Sequence, residues 1–341
     1  MWVAEALKDG FENSILATNT IDLEDLNRDF DLSARATARP CDAECALSKL
    51  SGLRGALRMT TPRVMRRLKW SRGKPPNVAQ FVRQWRAFAE LFSELRGARS
   101  KIRFCRYVIG GRRNTRGSHG EELLLEFKRA KLCCGRGAGE LYSYIEVFLE
   151  DDYQIARMAL DERSGVILDV GANIGVFSLS AAKRFPAAAI YALEPNPGPY
   201  RRLVRNVELN AATNVNPVNL AAWSTCGVVG FSDGRGTGTA HVVGNGALTV
   251  EAVSLDDFCA RNAIQRIGLL KIDVEGAEVE VLEGARQMLA LTEWLVVECH
   301  SAALASKVDA ILYARGFSKV SERRVPEGGG VLRFRKEDIP C

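Results

Sequence analysis

Acidic residues that could hold a nucleoside follow two short apolar runs in the second half of the chain. Asp169 lies near the end of the first run, and Glu194 directly follows the second, with Gly171 and Gly175 in the turn after Asp169. An acidic residue about 20 positions after a glycine-containing turn is placed to bind a ribose, because its two oxygens match two adjacent hydroxyls. These residue types and this spacing predict a nucleoside site.

The turn after the first apolar run lacks a feature of phosphate-binding loops. A dinucleotide site needs a middle glycine so that the backbone can approach the pyrophosphate, and here Asn173 would crowd a pair of phosphates. The turn therefore predicts a nucleoside ligand without phosphates, of which S-adenosylmethionine is the common one, with Pro195 and Asn196 as further contacts. The alternative is that the two carboxylates only cap helices, but their place on consecutive strands of one unit favours the cofactor site.

A second group of titratable residues lies further along the chain. Alternation along a strand puts Lys271 and Asp273 on the same side, and a buried lysine is costly unless it is paired. We expect Asp273 or Glu298 to be its partner, either as a structural ion pair or beside the methionyl end of the cofactor. His300 has an ordinary pKa of about 6.5, and it is our candidate general base, a role typically worth ~10²–10⁴ in rate. Lys271, Asp273 and His300 form the predicted catalytic set.

Several nearby residues have structural alternatives. Glu275 could cap the next helix, where a carboxylate suits the helix dipole, and we expect Glu278 and Glu283 to face solvent or to cap. Only small residues follow the third predicted strand, so adenine would rest on backbone and apolar walls near Ala221, while Trp223 stacks on adenine or packs in the core. No carboxylate and imidazole set is convincing as a group of metal ligands, and we predict no metal site.

The elements that must position these residues alternate regularly from residue 166 onward. A chain that alternates strands and helices predicts an α/β fold with a doubly wound, Rossmann-like parallel sheet, whose ligands bind at the carboxyl ends of the strands. A glycine-rich segment, 224–252, predicts a hairpin excursion near the pocket. The expected strands are 166–170, 189–193, 215–220, 267–272, 294–299 and a last antiparallel one at 331–335, and the expected helices are 174–184, 197–210, 277–290 and 302–315.

The first half of the chain has a different character. Between residues 54 and 116 there are 18 Lys and Arg residues against two acidic ones. An amphipathic stripe typical of a helix runs over residues 78–95, and loop and short strand are expected at 96–120. Two strands that could pair follow at 123–127 and 130–134. A helix is expected at 141–149. We divide the chain into a mostly helical or partly disordered N-terminal extension, acidic then basic (1–100), a lead-in (101–165) and a cofactor-binding domain (166–341).

Composition limits the compartment and the class of protein. The nine cysteines fit no zinc or haem spacing,, and we expect Cys226, Cys259 and Cys299 to pack in or beside the core, as in a reduced cytoplasmic chain. No apolar run approaches the ~18 residues of a membrane span. We therefore expect a cytoplasmic protein without a transmembrane segment, for which peripheral membrane contact stays open.

A series of motifs resembles the FkbM family of S-adenosylmethionine-dependent methyltransferases. The likeness covers roughly the last 200 residues, and its most specific element is the block at 271–276. The resemblance implies a class I methyltransferase sheet, a lead-in that covers the cofactor pocket with Tyr144, Glu146 and Tyr153 as candidates to reach it, and O-methylation of a sugar, glycolipid or polyketide-like small molecule. The motifs that carry it are 169–175, 194–196, 255–257, 270–277 and 298–300.

Two alternatives to a small-molecule methyltransferase remain open from the sequence. The basic segment at 54–116, with Trp70, Trp85 and Phe104 among its arginines, could hold the phosphates of RNA and make the chain a nucleic-acid methyltransferase. The other alternative is a non-catalytic scaffold that binds a nucleoside. The glycine turn, Glu194 and Asp273 argue against it. The acceptor and the oligomeric state are not encoded in any feature of the sequence that we can interpret.

Overall fold

The computed structural model describes residues 87, 89–110, 122–135, 138–160, 165–232, 241–242, 248–324 and 329–336. The predicted acidic segment at the start of the chain and most of the basic one lie outside these residues. Among the described helices, none is long and apolar enough to cross a membrane.

The predicted sheet is present, with seven strands. The first five in the chain are β3 (Val166–Val170), β4 (Ile190–Leu193), β5 (Val215–Val218), β10 (Ile267–Ile272) and β11 (Thr292–Cys299), and the last two are β12 (Ser318–Arg324) and β13 (Gly330–Arg335). They lie in the order β12-β13-β11-β10-β3-β4-β5. Strand β13 runs antiparallel to both of its neighbours, β11 and β12, while the other six strands run in one direction, which confirms the predicted last strand.

Helices cover both faces of this sheet. Side chains alternate along each strand, so Ile167 and Leu269 belong to one core cluster and Leu168 and Leu270 to the other. The first cluster lies under α3 (Val176–Arg184) and α4 (Pro197–Leu209), and the second under α5 (Leu255–Arg261), α6 (Glu278–Glu283) and α7 (Ala302–Ala314). Strands buried on both faces read as continuous apolar runs, which is why the parallel strands were recognisable from the sequence.

Ahead of this domain, the lead-in agrees with the prediction except at its start. Strands β1 (Leu123–Glu126) and β2 (Lys131–Cys134) pair antiparallel, and α2 (Ala138–Tyr144) continues into a π-helix at Ile145–Leu149. The expected loop at 96–120 is wrong for its first part, which forms α1 (Gly97–Gly110). This basic helix is held against β1 by the burial of Phe104 and by a hydrogen bond that Glu126 N donates to Ser100 Oγ.

Two further differences have identifiable causes. The predicted helix at 277–290 is divided into α6 and a 3₁₀ turn at Met288–Leu291. A Cβ on Gly284, between them, would lie 2.0 Å from the carbonyl oxygen of Trp223, so the backbone there is held against a neighbouring segment. Strand β12 was not predicted because it is an edge strand rich in exposed charged side chains, without an apolar face,.

The glycine-rich segment forms a second small sheet. Its strands are β6 (Ala221–Ala222), β7 (Gly227–Ser232), β8 (His241–Val242) and β9 (Leu248–Val253), in the order β6-β9-β7-β8. The pairing of β7 with β9 is antiparallel, as predicted for a hairpin excursion. Cys226 at its base is exposed rather than in the core, whereas Cys259 and Cys299 are buried as expected.

Two asparagines on α4 hold the lead-in against the domain. The buried Asn206 accepts a hydrogen bond from Cys133 N at 2.6 Å and donates to the carbonyls of Cys133 and Ile174. One turn later, the more exposed Asn210 makes the same paired bonds with Lys131. The side chains thus act as hydrogen-bonding partners for the free edge of β2.

We expect Asn206→Ala to lower the free energy of unfolding by about 2–4 kcal/mol, because it leaves buried backbone groups unpaired. Asn210→Ala is the matched control and should cost about 0.5–1.5 kcal/mol, since water can replace its bonds. Urea denaturation of both variants measures the difference. Equal losses would contradict the role that we assign to Asn206.

Candidate functional site

The turn after β3 is held tightly against the end of β10. Gly171 has a φ of +77° and Asn173 one of +51°, and a Cβ at Gly171 would lie 1.8 Å from the carbonyl oxygen of Asp273. Gly175 has a φ of +87°, and a Cβ there would lie 2.4 Å from the side-chain Cδ1 of Leu203. The two glycines of the motif are therefore needed for backbone conformation and for close approach.

The backbone N–H groups of this turn are already used inside the protein. Gly171 N and Ala172 N both donate to the carbonyl of Leu193, and Gly175 N donates to that of Ala172. Asn173 N donates to Glu194 Oε2 at 2.8 Å. A pyrophosphate binds to a cluster of free backbone N–H groups. Four of the five N–H groups from 171 to 175 are occupied, which agrees with the prediction of a ligand without phosphates.

Glu194 is fixed between the turn and the start of α4. Its Oε2 accepts from Asn173 N, and its Oε1 accepts from Asn196 N at 2.8 Å. Asn196 also caps α4, with its side chain accepting from Gly198 N at 3.1 Å, while Pro197 occupies the first helical position. Burial raises the pKa of Glu194 to about 7, although these two backbone bonds oppose the shift. Each carboxylate oxygen keeps a further lone pair for a ligand hydroxyl.

Lys271 joins three elements beneath the turn. Its Nζ lies 2.9 Å from the carbonyl oxygen of Gly171, 3.2 Å from Asp169 Oδ1 and 3.3 Å from Asp273 Oδ2. Lys271 is 3% exposed and Asp169 is fully buried. Burial alone would lower the pKa of Lys271, but Asp169 and Asp273 outweigh it and raise the pKa above its ordinary value. The predicted pairing with Asp273 is confirmed, and the additional partner Asp169 was missed.

Side chains from β10, β11 and the lead-in meet at the neighbouring strand ends. Asp273, Glu298 and His300 each bring one oxygen or nitrogen to within 4.8 Å of the others, although we expected no convincing carboxylate and imidazole set. Tyr153 donates to Glu298 Oε2 at 2.8 Å. Burial, and then the charge of Asp273, raise the pKa of Glu298 to about 7. Burial and the charges of Glu298 and Asp273 likewise raise the pKa of Glu146 well above its ordinary value.

His300 is not the neutral imidazole that the sequence led us to expect. Its Nε2 lies 3.2 Å from Glu275 Oε2 and its Nδ1 lies 3.6 Å from Glu278 Oε1. Burial alone would lower its pKa, but the neighbouring carboxyl groups of Glu278, Asp273 and Glu275 outweigh it and raise the pKa of His300 to about 10. In the free protein at neutral pH it is therefore a cation and must lose a proton before it can accept one.

Some predicted site residues lie elsewhere or in another environment. Tyr144 is buried in the lead-in, stacked on Phe127 with its hydroxyl 3.2 Å from Glu94 Oε2, so it does not reach the site. Glu278 is fully buried rather than solvent-facing, whereas Glu283 is exposed as expected. Glu275 does not cap α6, whose N-cap position is held by Ala277.

The predicted adenine contact lies at the start of the second sheet. Ala221 is 2% exposed and is paired with Ala252. Trp223 is half-buried and packs on the same small cluster, which confirms packing as one of its roles. A contact of Ala221 with adenine remains a prediction.

Three interactions of the site were beyond sequence reasoning. Lys271 and Asp169 lie directly opposite each other on β10 and β3, a relation that requires the order of the strands. The bond from Tyr153 to Glu298 requires the lead-in to be folded over the sheet, and the contact of Glu278 with His300 requires the angle of α6. The signal available in the sequence was the placement of each residue at or near a strand end.

Comparison with known proteins agrees with this geometry. A family described as "Methyltransferase FkbM domain" matches residues 169–319. The match begins at the turn after β3 and includes each of the strand ends that carry the site, from Asp169 to His300. It begins after the lead-in, and so does not cover Glu146 or Tyr153.

Several individual proteins are similar to this chain. Methyltransferase sdnD of Sordaria araneosa is 30% identical over 236 residues, which cover 58% of this chain and 90% of that protein. The 31-O-demethyl-FK506 methyltransferase FkbM of Streptomyces tacrolimicus is 29% identical, with 54% of this chain and 85% of that protein covered. The hexuronic acid methyltransferase AglP of Haloferax volcanii is 30% identical, but the match covers only 45% of this chain and 64% of AglP.

Among solved structures, methyltransferase FkbM from Methylobacillus flagellatus aligns with a TM-score of 0.41 and 15% identity. The alignment covers 75% of this chain and 60% of that one.

Proposed function

This chain belongs to the FkbM family of methyltransferases, and from that premise we propose that it transfers the methyl group of S-adenosylmethionine to a hydroxyl of a sugar, glycolipid or polyketide-like small molecule. The observation that carries the cofactor assignment is Glu194. It is a buried carboxylate held by two backbone N–H groups beside a glycine turn whose own N–H groups are occupied. Such a site fits the two hydroxyls of an adenosine and disfavours a pyrophosphate.

The chain's own residues would bind the two ends of the cofactor differently. Glu194 and Asn196 hold the ribose, while Asp169, Gly171, Asn173 and Gly175 form the adjoining turn. Asp273 lies at the end of β10, beyond that turn, and we assign it to the methionyl end. When bound, S-adenosylmethionine supplies an activated methyl group on a sulfonium whose positive charge disappears on transfer. The protein's contribution is then to align the acceptor hydroxyl with the methyl group and the sulfur, and to provide a suitable electrostatic environment.

The roles within the proposed catalytic set follow from their contacts. Lys271 is a positioning residue, because it holds the carbonyl of Gly171 and the carboxylates of Asp169 and Asp273 together. His300 lies at the rim, 37% exposed, and is our candidate to contact the acceptor hydroxyl. The buried Tyr153 and the half-buried Glu146 and Glu298 close the same side from the lead-in and β11.

The charge around the reaction end favours a small neutral or cationic acceptor over RNA. The carboxyl groups of Asp273, Glu275, Glu298 and Glu146 face this region, and burial raises the pKa of the last three. Lys271 and His300 are the facing cations within the described residues. A region lined mainly by carboxyl groups offers few cations to a phosphate backbone. RNA methylation remains the second candidate only because of the basic segment at 54–116, most of which lies outside the described residues.

A methyl-acceptor screen tests the function. The full chain is incubated with methyl-labelled S-adenosylmethionine and either the small-molecule and glycolipid fraction or the total RNA of a cell extract, with Glu194→Gln as the inactive control. We expect label in the first fraction only. Salt-sensitive labelling of RNA would replace our proposal with the alternative, and no labelling above the Glu194→Gln control in either fraction would contradict methyl transfer.

The affinity for the cofactor should depend on pH through Glu194. Ribose hydroxyls donate to the ionised carboxylate, and the pKa of Glu194 is about 7 in the free protein. Affinity is therefore full above pH 7 and should fall by about tenfold for each pH unit below it. Glu194→Gln should bind about 10–100-fold more weakly at pH 8, as a charge-assisted bond is lost, and its affinity should not change between pH 8 and pH 6. Calorimetric titration at both pH values measures this; a wild-type affinity that is flat with pH would contradict the assignment.

A further inference from the structure

Asp273, Glu298 and His300 occupy the ends of the adjacent strands β10 and β11, where each presents one ligand atom within 4.8 Å of the others. Ions such as Mn²⁺ hold oxygen and nitrogen ligands about 2.0–2.3 Å away, so ligand atoms on one ion are separated by roughly 3–4.5 Å. We propose that these three side chains bind one divalent cation, of the Mn²⁺ or Zn²⁺ type, on the acceptor side of the site.

The residue types fit such an ion. Carboxylates suit Mg²⁺ and Mn²⁺, and imidazole suits first-row ions such as Zn²⁺ and Fe²⁺, so two carboxylates and one imidazole select a divalent first-row ion. Asp273 contacts Lys271 through Oδ2, and Glu298 accepts the Tyr153 hydroxyl at Oε2. The other oxygen of each carboxylate, Asp273 Oδ1 and Glu298 Oε1, is not used in these two contacts.

A second, independent observation concerns Glu278. This carboxylate is fully buried, and its Oε2 has no hydrogen-bond partner. Its Oε1 accepts from Gly276 N at 3.0 Å and lies 3.6 Å from His300 Nδ1. A histidine that binds a metal ion usually donates its other ring N–H to a carboxylate, which fixes the ring and directs the remaining nitrogen at the ion. Glu278 lies on the Nδ1 side of the His300 ring, one short movement from this hydrogen bond, while Nε2 lies on the side of Glu275.

A further carboxyl group lies beside these three side chains. Glu275 Oε2 lies 3.2 Å from His300 Nε2, on the same side as the proposed ion, and could become a fourth ligand. Lys271 contacts Asp169 and Asp273, and His300 is the main cation that faces Glu298 and Glu275. Four carboxyl groups thus share two cationic side chains, and a divalent cation would offset the remaining negative charge.

The role of the ion rests on the proposed function. A cation between Asp273 and His300 would hold the acceptor's hydroxyl oxygen and lower the pKa of that hydroxyl. The hydroxyl proton then leaves to water, and His300, as a ligand, is not the general base. The binding site itself can be tested without any acceptor.

The purified full chain is first freed of metal with EDTA and dialysis. It is then titrated with Mn²⁺, and binding is measured by electron paramagnetic resonance. We expect about one tightly held Mn²⁺ per chain. Glu298→Gln and His300→Ala should each weaken binding at least about tenfold, and Glu278→Gln about 10–100-fold through the histidine. Glu283→Gln, an exposed carboxylate on the same helix α6, is the matched control and should bind as the unaltered chain does.

Two outcomes would overturn the metal site. One is no Mn²⁺ binding by a folded chain, and the other is equal binding by Glu298→Gln and Glu283→Gln, which would place the ion elsewhere. Circular dichroism checks that each variant is folded, and the conservative Glu298→Gln and Glu278→Gln decide the question if His300→Ala does not fold. Titration with S-adenosylmethionine in EDTA separates the two proposals: cofactor binding without Mn²⁺ binding refutes only the ion, and Mn²⁺ binding without cofactor binding refutes only the proposed function.

Discussion

Lys271→Met is expected to lower the free energy of unfolding by about 3–5 kcal/mol, because it removes the cation from a buried charge network. Asp169 is fully buried and Asp273 is 25% exposed at its side chain, and without Lys271 both would be left with a weakly compensated negative charge. Urea denaturation of the full chain gives the change. Adding Asp169→Asn to Lys271→Met should recover part of the loss, since it removes the uncompensated buried carboxylate.

An exposed ion pair provides the control for Lys271. Lys128 lies 3.4 Å from Glu94, with its side chain 54% exposed. Lys128→Met should cost less than about 1 kcal/mol, because the lysine is largely solvated and Glu94 keeps its hydrogen bond from the Tyr144 hydroxyl,. If both lysine substitutions cost the same, the network beneath the glycine turn does not have the structural role that we give it.

Gly171→Ala should produce the second large effect. Its Cβ would lie 1.8 Å from the carbonyl oxygen of Asp273, at a φ of +77° that alanine rarely adopts. Left-handed backbone costs about 1–2 kcal/mol and overpacking a further 1–3 kcal/mol, so we expect a loss of about 2–5 kcal/mol in the free energy of unfolding. Because the turn must move away from β10, the affinity for S-adenosylmethionine should fall as well.

Gly97→Ala isolates the conformational part of this effect. Gly97 has a φ of +70°, and a Cβ there would meet nothing within 4 Å, so the substitution should cost only about 1–2 kcal/mol and leave the cofactor affinity unchanged. Urea denaturation and calorimetric titration compare the two variants. A Gly171→Ala variant that matches Gly97→Ala in both measurements would refute the tight packing of the turn on β10.

The sequence was sufficient for the parts of the fold that depend on local patterns. Apolar runs buried on both faces identified the parallel strands, and the glycine pattern identified the turn after β3. Gly316, with a φ of +82° after α7, has the left-handed backbone that a glycine at a helix end permits,. These features follow from steric and burial requirements that act within a few residues.

The features that were missed depend on tertiary contacts. Helix α1 has no acidic residue in its first turn, and what stabilises it is its contact with β1. Tyr144 and Tyr153 could not be distinguished from the sequence: one packs on Phe127 and the other reaches Glu298, and the difference follows from the path of the π-helix and the loop after it. In that loop Asp151 and Gln154 have φ values of +50° and +48°.

His300 shows the same limit for chemistry. Its position after β11 was predictable, but its protonation depends on Glu275 and Glu278, which the turn before α6 brings to within 3.2 and 3.6 Å. An ordinary histidine pKa applies only where no such partners are present. Residue type and position thus predicted the location of the site, and the folded arrangement of charges determines what each group can do.

The adenosine assignment is tested most directly by calorimetric titration of the metal-free full chain at pH 8 with S-adenosylmethionine and, separately, with NAD⁺. We predict one S-adenosylmethionine per chain with a Kd in the micromolar range, about −8 kcal/mol, and no measurable binding of NAD⁺, whose pyrophosphate finds the N–H groups of the glycine turn occupied. Binding of NAD⁺ as tight as that of S-adenosylmethionine, or no heat with either ligand, would contradict the site described above.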